Sequence, residues 1–156
     1  MSRKMKTRGC EVLAISSTGG HWVELLLLSA AFDGRDVIYA SSNARDRAKV
    51  PGRRFEVLPD ANARTPARAA LCLWQVLRLV VRLRPAVIVS TGAAPGLFAV
   101  AVGRLFGATT IWVESLAGVT QLSLSGRLAR RFARHFVVQW PELADGRSVQ
   151  YHGNLL

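Results

Sequence analysis

The segment VLAISSTGGHWVELL, residues 12–26, gives the clearest indication of the fold class of this chain. Its first four residues form a short apolar run, typical of a buried β-strand, and a turn of small residues follows. Beyond the two glycines, apolar residues return at helical spacing. A strand, a glycine turn and a helix in this order form the first part of a βαβ unit. His21 is therefore predicted in the first turn of that helix.

The same alternation recurs to the end of the chain. Apolar runs typical of strands are EVLAIS, DVIYAS, RRFEVLPD, AVIVSTG, TTIWVES and FVVQW. Helices are predicted between them, including a long one over 65–84 with Thr65 as N-cap and Pro66 at its first position, and an amphipathic one over 123–135. Near-continuous valine and isoleucine runs indicate parallel strands covered on both faces. The predicted fold is a doubly wound, Rossmann-like α/β sheet.

Length and composition set the class of protein. The 156 residues suit one domain over 1–156, with residues 1–9 as a flexible basic terminus. Two distant cysteines indicate free thiols in the cytoplasm, and no apolar run reaches the length of about 18 residues that a membrane span needs. The three histidines lack zinc-site spacing, so neither a metal nor a cofactor is expected.

The net charge of +11 favours an anionic partner: nucleic acid, anionic lipid or a phosphate-bearing substrate. A nucleic-acid-binding module would interleave arginines with exposed aromatic residues along one face. The tryptophans lie instead within apolar runs or beside glycine loops, so no nucleic acid is predicted as partner.

Three loops follow predicted strands at the sheet edge where doubly wound folds bind ligands: SSTGGH, STGAAPG and ESLAGVTQ. The first loop lacks the standard dinucleotide and Walker spacings, but its small residues let backbone N–H groups approach an anion. His21 is a candidate phosphate donor or proton acceptor, and Glu114 a candidate base or sugar-orienting group. Ordinary turn chemistry for the loops, and a cap or ion-pair role for Glu114, remain open. The candidate ligand-binding residues are Ser17, Thr18, Gly19, Gly20, Thr91, Gly92, Gly96 and Ser115.

The long helix has an unusually wide apolar face. One narrow polar stripe contains Arg64, Arg68, Gln75, Arg78 and Arg82. The remaining face spans roughly 220° of the helical wheel, more than packing on one sheet requires. A membrane-interface surface, a protein interface and a well-covered helix are all compatible with this pattern.

Taken in order, SSTGGHWVELL, STGAAPG, IWVES and LSLSGRLARRFARHFVVQW resemble the acceptor-side subunit of split UDP-sugar glycosyltransferases. That family includes the membrane-anchoring partner of the UDP-GlcNAc transferase that extends dolichol-linked oligosaccharide, and bacterial counterparts in exopolysaccharide assembly. The likeness runs from about residue 11 to the end of the chain. More distantly, the chain is similar to the peptidoglycan transferase that adds GlcNAc to lipid-linked muramyl pentapeptide.

The resemblance implies the N-terminal half of a GT-B glycosyltransferase, active only with a donor-binding subunit that supplies the UDP-sugar. The acceptor would be a lipid-diphosphate-linked saccharide. By the same resemblance Gly19, Gly20 and His21 would hold its phosphates, with Gly92 and Gly96 opposite, Glu114 near the acceptor sugar and YHGNLL near the subunit junction. The eukaryotic subunit has an N-terminal anchor not recognised here, so peripheral attachment to the inner face of the plasma membrane is expected, either directly through the basic N-terminus and the long helix or through the partner.

A stand-alone Rossmann-like nucleotide-binding domain is the alternative. Such a domain would have an acidic residue at the end of its second strand. That strand runs instead into Ser41, Ser42 and Asn43, so the split-transferase interpretation is preferred.

Overall fold

The structure, a computed structural model, describes residues 10–155, so the predicted flexible segment 1–9 lies outside the described residues. Within this range seven strands form one sheet in the order β3-β2-β1-β4-β5-β6-β7, with every neighbouring pair parallel. The strands are β1 Val12–Ile15, β2 Val37–Ser41, β3 Arg54–Val57, β4 Val87–Ser90, β5 Thr109–Val113, β6 His135–Val138 and β7 Val149–Tyr151.

Four α-helices connect the strands: α1 Gly20–Leu27, α2 Pro66–Leu83, α3 Ala93–Leu105 and α4 Leu124–Ala129. Short 3₁₀ turns lie at Ser29–Phe32, Ala44–Lys49 and Pro141–Leu143. None of the helices within residues 10–155 is long and apolar enough to cross a membrane.

The helix predicted over 123–135 is shorter than expected, because α4 ends at Ala129. Thr110 explains the early end. Its hydroxyl donates to the carbonyl of Phe132 and accepts from the N–H of Arg134, at 3.0 and 3.1 Å. These bonds from β5 draw the chain out of the helix and into β6.

The two faces of the sheet carry different helices. Alternate strand residues such as Leu13 and Ile38 pack with α2 and α3, whereas their neighbours Val12 and Val37 pack with α1. This division follows the period of two along a strand. Burial on both faces accounts for the continuous apolar strands and confirms the predicted Rossmann-like class.

The strand order brings the three candidate loops together. From β1 the chain runs outward to β3, then returns to β4 on the other side of β1 and continues to β7. The carboxyl ends of β1 and β4 therefore flank the point where the strand order reverses, and β5 lies next to them.

Candidate functional site

The first loop leaves the N-terminus of α1 open. Gly19 has φ 83°, a conformation that residues with side chains rarely adopt. A Cβ atom on Gly19 or Gly20 would meet nothing within 4 Å, so the space beside both residues is empty. The loop is held by the Thr18 N–H, which donates to the Ser42 hydroxyl at 3.0 Å, and the Ser17 hydroxyl bonds within the loop.

His21 joins the first loop to the second. Its Nδ1 lies 3.1 Å from the carbonyl oxygen of Thr91, whose hydroxyl donates to the carbonyl of His21 at 2.6 Å. A carbonyl oxygen only accepts, so Nδ1 carries the proton and Nε2 keeps its lone pair in the neutral ring. The half-buried imidazole is thus fixed in one tautomer with Nε2 unengaged by described residues.

The glycines of the second loop serve two different purposes. Gly92 has φ 141°, and a Cβ there would lie 2.5 Å from His21 Nδ1. The imidazole therefore fills the space that a side chain at residue 92 would need. Gly96 is buried inside α3, where a Cβ would lie 1.8 Å from the Ser90 hydroxyl. Close packing of α3 on β4 thus accounts for the missing side chain at Gly96.

Glu114 follows β5 and is only 1% exposed. Its Oε2 accepts from Trp112 Nε1 at 2.7 Å, and its Oε1 accepts from the N–H of Ser123 at 2.8 Å. A Cβ on Gly126 would lie 2.0 Å from Oε2, so α4 packs directly on the carboxylate. Both oxygens of Glu114 are therefore engaged in joining β5 to the start of α4.

Glu24 was not singled out from the sequence, although it is the one acidic residue in the apolar run WVELLLL. It is 7% exposed, and its Oε1 accepts from the Ser115 hydroxyl at 2.9 Å and the Leu116 N–H at 3.1 Å. Trp140 Nε1 donates to the Leu116 carbonyl at 2.9 Å. The predicted ligand-binding residue Ser115 is thus bonded to α1.

His21, the loop after β5 and the start of α4 line a cleft of about 420 Å³, and the glycines of the first two loops lie outside its lining. Its lining includes His21, Glu114, Ser115 and Arg127. Arg127, also missed from the sequence because it is one of several arginines in SGRLARRFAR, has no acidic partner among residues 10–155. The guanidinium is exposed and can donate to an anion, whereas the Glu114 carboxylate is buried. An anionic ligand fits this lining.

The outer face of α2 is apolar and exposed. Trp74 is 51% exposed, and the Arg78 guanidinium lies 4.7 Å from the centroid of its ring. A groove of about 440 Å³ separates this face from β3. The other large apolar side chains exposed on the helix are Leu71, Leu73, Leu77 and Val81. Among residues 10–155, this face of α2 is therefore not covered by other parts of the chain, which contradicts the expectation of a well-covered helix.

Residues 55–155 match the family described as oligosaccharide biosynthesis protein Alg14 like. The UDP-N-acetylglucosamine transferase subunit ALG14 of Candida albicans is 28% identical over 180 residues, which cover 99% of this chain and 82% of that protein.

Two solved structures share the fold. MurG from Acinetobacter baumannii aligns with a TM-score of 0.74 and 14% identity, over 90% of this chain and 44% of MurG. UDP-GlcNAc 2-epimerase from Methanocaldococcus jannaschii aligns with a TM-score of 0.66 and 12% identity, over 92% of this chain and 45% of the epimerase. The chain spans less than half of each structure, and at these identities the likeness shows the fold alone.

Proposed function

We propose that this chain, which belongs to the Alg14-like family of oligosaccharide biosynthesis proteins, is the acceptor-binding subunit of a two-component glycosyltransferase. The complex transfers a sugar from a UDP-sugar to a lipid-diphosphate-linked saccharide during polysaccharide synthesis, such as exopolysaccharide assembly. The name of the Candida albicans relative, a UDP-N-acetylglucosamine transferase subunit, makes UDP-GlcNAc the first donor to test.

The cleft between the loops after β1 and β5 is the observation that carries this proposal. Gly19 and Gly20 leave free space at the N-terminus of α1, where backbone N–H groups and the helix dipole favour a phosphate. Arg127, which has no acidic partner among residues 10–155, lines the cleft together with His21, the residue that follows these glycines. A diphosphate needs both features, since each of its phosphates has to be offered hydrogen-bond donors and positive charge.

His21 is better suited than Glu114 to be the general base. In the transfer, an acceptor hydroxyl oxygen bonds to the anomeric carbon, the bond from that carbon to UDP breaks, and the hydroxyl proton has to leave. Nε2 of His21 can accept this proton while the Nδ1–H bond to Thr91 holds the ring in place. Both oxygens of Glu114 already accept N–H donors, so we assign this carboxylate to the shape of the cleft wall.

A second polypeptide would bind the donor and form a heterodimer with this chain. The name of the Candida albicans relative, which calls that protein a subunit, supports this part of the proposal.

The α2 face would attach the complex peripherally to the inner face of the plasma membrane. Its apolar side chains would enter the interface, and exposed arginines such as Arg68 and Arg78 would meet anionic headgroups. Trp74→Ala should weaken co-sedimentation with phosphatidylglycerol vesicles, and high salt should weaken it further. Equal binding of Trp74→Ala and the wild-type chain would assign the face to a protein interface instead.

Reconstitution of the pair tests the function. The tagged chain is isolated from its native membranes, and the co-purifying protein is assayed with it for UDP-GlcNAc transfer to a lipid-diphosphate-linked sugar. Transfer should require both proteins, and His21→Ala should lower it at least about tenfold. His135→Ala is the control, because this exposed histidine is the first residue of β6 and lies at the amino-terminal end of the strands, whereas the cleft lies at their carboxyl ends. Isolation of a lone chain carrying bound nucleotide would instead support a stand-alone nucleotide-binding domain.

A further inference from the structure

We propose that Glu24 is a positioning residue that fixes the two walls of the cleft relative to each other. One wall is α1, which carries His21, and the other is the turn 115–118 that follows Glu114. The proposed effect on catalysis rests on the function proposed above. The effect on the turn itself does not, so the two can be tested separately.

The contacts converge on a single carboxylate oxygen. Oε1 of Glu24 accepts from the Ser115 hydroxyl and from the Leu116 N–H. The Ser115 hydroxyl in turn accepts from the Ala117 N–H at 3.2 Å. Three consecutive residues of the turn are therefore organised by one side chain on α1, across 91 and 92 positions of sequence. Hydrogen bonds to an ionised acceptor are stronger than neutral ones, which suits this role.

Through the turn that it holds, Glu24 also affects the surroundings of His21. It lies three residues further along α1, about one helical turn, so both side chains project from neighbouring positions of one short helix. A shift of the turn 115–118 away from Glu24 would change the distance from the turn to the imidazole. Misplacement by about 1 Å at a reacting centre can lower a rate up to about a hundredfold.

Stability alone does not explain a carboxylate at this position. Glu24 is 7% exposed, and its Oε2 is buried without a hydrogen-bond partner in the described part of the chain. A buried carboxylate with an unpaired oxygen is costly, and a leucine would suit the surrounding apolar run better. The hydrogen bonds that Glu24 accepts from the turn 115–118 account for a carboxylate at this buried position.

Three variants separate positioning from simple stabilisation. Glu24→Ala removes the acceptor, whereas Glu24→Gln keeps one carbonyl oxygen that can accept from Ser115 and Leu116. Thr110→Val is the matched control. It also removes two buried hydrogen bonds, but near the start of β5, away from the cleft.

Amide hydrogen exchange, read for the peptide over 114–120, tests the turn in the full chain without any substrate. Glu24→Ala should raise exchange at Leu116 and Ala117 at least about tenfold over the wild-type rate, and Glu24→Gln and Thr110→Val should not. Unchanged exchange in Glu24→Ala would overturn the proposal, whether or not the chain is a transferase subunit.

Kinetics of the reconstituted pair test the consequence. Glu24→Ala should lower the maximal rate and raise the acceptor KM, each about tenfold, and leave the UDP-GlcNAc KM unchanged, with near wild-type values for Glu24→Gln. A purely stabilising role would lower the maximal rate of Glu24→Ala and Thr110→Val alike without moving either KM. That result, or a Glu24→Gln variant as defective as Glu24→Ala, would overturn the positioning role. Absence of transfer by the wild-type pair would count against the proposed function and leave the exchange result standing.

Discussion

Replacing Gly92 by alanine should be far more damaging than an ordinary glycine-to-alanine change. The added Cβ would lie 2.5 Å from Nδ1 and 2.6 Å from Cε1 of His21. The residue also has φ 141° and ψ −177°, a region that only glycine occupies readily. The substitution would therefore strain the backbone and displace the imidazole from the Thr91 carbonyl.

The size of the effect follows from three terms. The backbone strain costs about 1–3 kcal/mol, the steric overlap about 1–3 kcal/mol, and loss of the hydrogen bond from His21 to Thr91 about 0.5–1.5 kcal/mol. We expect the free energy of unfolding to fall by about 3–5 kcal/mol in all. Gly107→Ala is the control, because Gly107 has φ 83° but open space around its Cβ position. Backbone strain alone should lower the free energy of unfolding of Gly107→Ala by about 1–2 kcal/mol.

Urea unfolding of four variants measures these terms: Gly92→Ala, Gly107→Ala, His21→Ala and the double variant of Gly92 and His21. Removing the imidazole abolishes the overlap, so the double variant should be more stable than the sum of its single effects by about 1 kcal/mol or more. Additive effects, with Gly92→Ala and Gly107→Ala equally stable, would refute the contact between the two loops.

Further expectations concern single side chains. Glu114→Ala leaves the buried indole N–H of Trp112 and the partly buried N–H of Ser123 unpaired, and should lower the free energy of unfolding by about 2–4 kcal/mol in urea titrations. Arg127→Gln should raise the acceptor KM of the pair about tenfold, whereas Arg104→Gln, on the exposed surface of α3, should leave it unchanged. Burial raises the thiol pKa of Cys10 and Cys72 to about 11, so iodoacetamide at pH 8 should label them only after unfolding. Their contribution to stability is present below about pH 9 and is lost as the pH rises towards 11.

The fold was accessible from the sequence because its strands are nearly pure apolar runs between clear turn signals. The strands are apolar throughout because helices cover both faces of the sheet. The predicted parallel sheet is confirmed. β7 was missed because Val149–Tyr151 is only three residues long, and two of them are exposed. The helix after Ser123 was predicted too long because its end depends on Thr110, a residue from another strand.

The site was predictable at the level of loops but not of contacts. Strand order alone places the loops after β1, β4 and β5 side by side. The bond from His21 to Thr91 spans 70 positions and that from Ser115 to Glu24 spans 91, so neither has a local signature. Gly96 resembled a phosphate-loop glycine in the sequence, yet its close approach to Ser90 explains it by packing.

The central claim is that this chain binds the acceptor and its partner binds the donor. Equilibrium binding of a lipid-diphosphate-linked GlcNAc and of UDP-GlcNAc to the purified chain, each measured for the wild type and Arg127→Gln, tests it most directly. We expect saturable binding of the lipid diphosphate, weakened about tenfold or more in Arg127→Gln, and no comparable binding of UDP-GlcNAc. Tight binding of UDP-GlcNAc with no affinity for the lipid diphosphate would contradict it.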